Sequence, residues 1–176
     1  NASLNFTPST TKTGTLVLKK DNPSGLPENE DELRIPVIFK TTASAANTMV
    51  VKVYFGNRNL DPEGFSCGAT YAAERRISKT SASARAALEE LLQGPTNAEA
   101  EQEYFTSINL GVKIQSLTIA NGVAKVDFDA AIEQAVAGSC KVAAIKSQIT
   151  NTLMQFPGLK SVVISVNGKT EGILQP

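Results

Sequence analysis

The side chains that could do chemistry are few, and most are carboxylates. Asp127 and Asp129 fall on one side of an extended stretch, with Phe128 opposite. Two carboxylates so placed could act as acid and base, or hold a Ca²⁺ ion. An exposed strand edge ending in an N-capping aspartate explains them without chemistry, and that account is preferred. Asp61-Pro62-Glu63-Gly64 and the acidic run 28–32 read as solvated loops first and weak cation sites second. Neither has the ligand spacing of an EF-hand. Residues 9–14 (STTKTG) contain both S-x-x-K and K-T-G. Penicillin-binding enzymes need those motifs on separate elements, whereas here they share Lys12 and no S-D-N accompanies them. Glu74, Arg75, Arg76 and Lys79 make a small basic cluster, read as a solvated strand face before an anion-binding patch. Asn5-Phe6-Thr7 matches the glycosylation sequon, which means little without a eukaryotic secretory context.

Histidine is absent, which removes Ser-His-Asp and Cys-His catalysis and any imidazole metal site. The 17 Lys+Arg balance the 17 Asp+Glu, so the chain lacks the basic field of a general nucleic-acid binder. No catalytic residue, metal site or cofactor is expected. Cys67 and Cys140 lie far apart, so they are not a CxxC redox motif, and two thiols are too few for a zinc or iron–sulfur site. They are either one structural disulfide in an oxidising compartment or two buried free thiols in the cytosol. The residues alone leave that choice open.

Elements must position these groups. A chain of 176 residues, 41% hydrophobic and 19% charged, suits one sizeable core or one domain plus part of another. No apolar run nears the roughly 20 residues of a membrane span, and no signal peptide is present. Asn1-Ala2 reads as the remainder of a cleaved tag. Residues 3–40 read as β structure: a short strand at Leu4-Asn5-Phe6, strands at 14–20 and 33–40, and a Pro- and Gly-rich turn at 21–27. Pro36 lacks an N–H and makes the second of these an edge or bulged strand. So few strands cannot build an independent core. Residues 41–48 (TTASAANT) form the linker.

From residue 49 the pattern is β-β-α-β-β-α-β. Residues 49–55 are an apolar strand buried mostly on both faces, 56–68 a loop, and 69–78 a return strand. Ala84, Ala87, Leu88, Leu91 and Leu92 mark one helical face, stopped by Gly94-Pro95. Residues 97–103 add a helical turn. Strands 112–119 and 123–128 flank Asn121-Gly122, a strong hairpin signal, with a bulge near Gln115-Ser116. A short helix spans 130–136 behind Asp129, and a longer one spans 139–156 with Val142, Ile145, Ile149, Leu153 and Phe156 as its buried stripe. Residues 161–166 form a buried strand, Asn167-Gly168 a turn, and 172–174 a short last strand. This is the α+β class: a mostly antiparallel sheet with two main helices on one face.

The runs VKVYFGN (51–57), ARAALEELLQGPT (84–96), YFTSINLGVKIQSLTIANGVAKVDFD (104–129) and SQITNTLMQFPGLKSVVISVNGK (147–169) resemble, in this order, a GerMN domain. That domain occurs in sporulation and spore-germination proteins and related envelope lipoproteins. Residues 13–39 resemble the C-terminal end of the immunoglobulin-like domain that often neighbours it. The resemblance divides the chain into a partial immunoglobulin-like segment (3–40), the linker (41–48) and a GerMN-like domain (49–176). It implies an extracytoplasmic protein of the bacterial envelope, with no catalytic residue to carry over. It also favours the Cys67–Cys140 disulfide. Similarity to ring-building domains of secretion assemblies implies a scaffolding role, through self-association or a protein partner. With no lipobox cysteine or tether in the chain, membrane contact is expected only through an anchor it does not contain. The alternative is a module binding carbohydrate or peptidoglycan through Tyr54, Tyr71, Tyr104 and Phe65.

Overall fold

The computed structural model describes residues 13–18, 33–38, 47–64 and 66–175. The readings at Leu4–Phe6, the sequon, the S-x-x-K motif, the 21–27 turn, the 28–32 acidic run and Phe65 lie outside them. The chain divides into two units, Asn1–Ala46 and Asn47–Pro176. In the first, β1 (Thr13–Leu18) and β2 (Leu33–Ile38) pair antiparallel, with Pro36 opposite Thr15. Among the described residues that ladder has two strands, so each has a free edge that tolerates the missing N–H.

The second unit is mixed α+β, as its alternating pattern predicts. β3 (Thr48–Asn57) pairs antiparallel with β4 (Tyr71–Ser78) on one side and with the two-residue β5 (Tyr104–Phe105) on the other. A second three-stranded sheet has the order β6 (Ile114–Ala120), β7 (Val123–Phe128), β8 (Ser161–Val166). The sheets are mostly antiparallel; the exception is β7–β8, which is parallel because a helix connects its strands. β6 and β7 turn at Asn121-Gly122, where both residues have positive φ (51° and 78°), as the right-handed hairpin turn demands. The register shifts between Ile114 and Ser116, at the predicted bulge.

Helix α1 (Ser83–Leu92) buries Ala84, Ala87, Leu88 and Leu91, the predicted stripe except for the half-buried Leu92. The short α2 (Asn97–Glu101) starts with a capping box between Thr96 and Glu99. Helix α3 (Ser139–Met154) buries Val142, Ile145, Ile149 and Leu153, and also Gln148 and Thr152. Side chains from both sheets, α1 and α3 meet in one hydrophobic cluster that includes Phe55, Leu88, Val126, Phe128 and Ile149. Non-directional burial of this apolar surface is the main stabilising term.

The structure corrects four readings of these elements. β3 is not buried on both faces: Val51, Val53 and Phe55 are inside, whereas Val50 is 49% exposed and Lys52 points outward. The helix expected over 130–136 is one 3₁₀ turn, Ala130–Glu133, ended by Ala135 at φ 51°. Asp129 does not cap it, because its Oδ1 accepts from Lys113 N instead (3.1 Å). No last strand forms at 172–174. Gly172 and Leu174 have positive φ (69° and 45°), incompatible with an extended run, although Ile173 and Leu174 are buried.

Candidate functional site

The loop that follows β3 starts from a buried asparagine. Asn57, 3% exposed, accepts from the N–H groups of Asn59 and Leu60 and donates to Gln102 O (2.9 Å). This Asx-type turn lifts the chain off the strand. The loop is then tied to α3. Cys67 and Cys140 are joined in a disulfide that spans 73 residues, with their Cα atoms 4.6 Å apart. Ser147 Oγ donates to Gly68 O (2.6 Å), and Asn151 Nδ2 donates to Thr70 Oγ1 (2.7 Å). Between loop and helix lies an open cleft of about 390 Å³. Arg58, Asp61, Tyr71, Phe105, Lys141 and Gln148 are among its lining residues.

Arg58 lies over the Phe105 ring, 4.9 Å from its centroid, and near Glu103 (3.5 Å). Asp61 Oδ2 accepts from Ser66 N (3.3 Å), and Glu63 is exposed. Among the described residues no three His, Cys, Asp or Glu side chains converge as metal ligands. Gln148 is fully buried; its Oε1 accepts from Thr106 Oγ1 (3.0 Å) and Ser107 N (3.4 Å), and its Nε2 has no hydrogen-bond partner.

The other carboxylates hold structure together. Asp127 Oδ1 accepts from Ser165 Oγ (2.6 Å) and from Gly168 N (2.8 Å), fixing the turn after β8. Asp127 and Asp129 thus serve separate backbone segments.

The basic cluster does not exist as expected. Glu74, Arg76 and Lys79 are exposed, but Arg75 turns into the core and is buried. The physical reason is the period of β4: Arg75 shares the inward face with Ala73. Its guanidinium stacks over Phe55 (5.4 Å to the centroid) and meets five acceptors. They are Glu90 O (2.6 Å) and Gly94 O (2.7 Å) at the end of α1, both Glu99 oxygens (2.5 and 3.1 Å) in α2, and Glu90 Oε2 (3.3 Å). Burial pushes the Glu99 carboxyl up, but Arg75 and the Thr96 N–H outweigh it and hold it below the usual carboxylate range.

The three tyrosines do not form one platform. Tyr71 lines the cleft and donates to Leu60 O, Tyr104 donates to Ala72 O, and Tyr54 is half-buried within β3. The sequence reading placed Arg75 on a solvated face, and it missed Gln148 altogether. Gln148 leaves a signal, because it falls on the apolar stripe one turn after Ile145.

These elements belong to a known family pattern. The sequence profile of the Germane family, described as sporulation and spore germination, matches residues 52–172. The chain belongs to this family. The match runs from within β3 to beyond β8 and takes in α1, α2 and α3. Among solved structures, the tandem GerMN domains of the sporulation protein GerM from Bacillus subtilis are 26% identical, with a TM-score of 0.57. That match covers 73% of this chain and 42% of the tandem structure, so the chain spans less than half of that relative. The first GerMN domain of the same protein, 21% identical with a TM-score of 0.55, shares the fold, over 69% of this chain and 85% of that one. Among curated proteins, none matches the chain. No helix among the described residues is long and apolar enough to cross a membrane.

Proposed function

We propose that the Germane unit is a non-catalytic assembly module of the bacterial envelope, on the extracytoplasmic side, binding either a second copy or a partner protein. The observation that carries this reading is the family match across 52–172. The disulfide supports the compartment, since Cys140 is exposed and a reducing cytosol would open the bridge. The roles of Asp127 and Asp129 in holding backbone support a non-catalytic reading. The antiparallel β1–β2 pair supports reading the first unit as part of an immunoglobulin-like domain. Membrane attachment in this account runs through a tether or lipid anchor.

The contact surface we favour is the outer edge of β6. This strand pairs only with β7 among the described residues, and most of it is exposed. Its sequence, IQSLTIA, contains no charge, and Ile119 is 50% exposed. Natural edge strands are usually blunted by charge or proline, so an uncharged exposed edge suits strand addition by a partner. A photo-crosslinking residue at Thr118 tests this in cells that make the full-length protein. Adducts are expected from Thr118 and not from the exposed Lys146 on α3. No adduct, or equal adducts from both positions, would overturn the edge assignment.

A further inference from the structure

The cleft between loop residues 58–64 and 66–70 and α3 is lined by Gln148, whose side chain carries a donor that the fold leaves unused. Ser107 N–H can face only an acceptor, so it fixes which end of the Gln148 amide is oxygen. Nε2 is then an unpaired donor on a fully buried side chain, which carries an uncompensated desolvation cost. An acceptor delivered into the cleft would remove that cost.

The rest of the lining narrows the ligand. Lys141 Nζ is engaged by Ala135 O (3.2 Å) and Asn109 Oδ1 (3.5 Å), and Arg58 sits between Phe105 and Glu103. Both cations already have partners, and Asp61 and Glu63 add negative charge to the same cleft. The walls therefore favour a neutral ligand whose hydroxyl groups can donate to carboxylates. Tyr71 adds an aromatic ring. A neutral molecule with a carbonyl acceptor, several hydroxyl donors and an apolar C–H face meets all these demands.

We propose that this cleft binds an N-acetylated amino sugar, with the acetamido carbonyl directed to Gln148 Nε2 and the sugar face against Tyr71. Gln148 is fully buried, so its side chain has to adjust for the acceptor to reach Nε2. The disulfide holds the loop wall against α3 and so preforms the site. The site is separate from the β6 edge, and its failure would leave the assembly reading untouched.

An amide-resonance NMR titration of the full chain with N,N′-diacetylchitobiose tests the proposal, with cellobiose as the control that lacks acetamido groups. Saturable shifts are expected at residues 56–71 and 140–148, with a Kd of about 1 mM and binding of cellobiose about tenfold weaker or worse. Ala144→Phe, which fills the cleft from α3, should abolish these shifts. If that variant misfolds, Tyr71→Ala should weaken binding about tenfold in its place. No shifts, equal shifts with both sugars, or shifts confined to another surface would each overturn the proposal.

Discussion

Arg75 ties three elements of the second unit together. It closes the carbonyl end of α1, pairs with the capping glutamate of α2 and stacks on Phe55 of β3. Removing one partner of a buried ion pair strands the other, so Arg75→Met should lower unfolding free energy by about 3 kcal/mol in a denaturant titration. The same pair sets a pH dependence. The folded Glu99 carboxyl lies below its unfolded value, so its stabilisation is present above roughly pH 4.3 and is lost as pH falls through the folded value. Wild type should therefore lose more stability than Arg75→Met between neutral and strongly acidic pH, measured by denaturant midpoints. The charge and the strand period were both visible in the sequence around Arg75. What the sequence could not show is that the ends of two later helices converge on that inward slot and make burial of an arginine favourable. Gln148 was more legible, as a polar residue in a core-facing helical position, although its free Nε2 emerges only from the packing around Thr106 and Ser107.

At the scale of elements, α3 explains why the β structure is split into two sheets. The edge of β3 that β5 leaves open is occupied by side chains from the C-terminal end of α3 and its cap residue Gln155. Gln155 accepts from Lys52 N (2.8 Å) and donates to Lys52 O (2.6 Å), imitating a strand, while Thr152 Oγ1 accepts from Tyr54 N (3.1 Å). Further along the same strand, Gly56 lets Phe105 approach. A Cβ at position 56 would lie 2.3 Å from Phe105 Cζ, inside any tolerable contact. Gly56→Ala should therefore cost about 1–3 kcal/mol, read by thermal or chemical unfolding, with the β5 end of the sheet disturbed first. The strands and helices themselves were legible because their periods and turn residues agree: Asn121-Gly122 and the α1 stripe lie where the pattern puts them. The ends were less legible. Residues 172–174 look like a strand, but positive φ at Gly172 and Leu174 and the bond from Leu174 N to Glu133 Oε1 (2.6 Å) give a buried bend instead.

For the whole molecule, the disulfide and the β6 edge connect fold to function. In the chain-entropy model a closed loop of this length contributes about 4 kcal/mol. Cys67→Ser/Cys140→Ser should melt well below wild type, and reductant should lower the wild-type melting temperature but not that of the double variant. Equal melting of both proteins under oxidising conditions would remove the bridge from the account. The central claim is that this Germane unit associates through an uncharged strand edge. Sedimentation velocity of the purified chain over a wide concentration range, alone and mixed with envelope protein extract, measures it most directly. Wild type should move into faster-sedimenting species, and Ile119→Lys, a surface change that leaves the core intact, should remain monomeric under the same conditions. A wild-type chain that sediments as a monomer throughout, or an Ile119→Lys variant that associates equally well, would contradict the account.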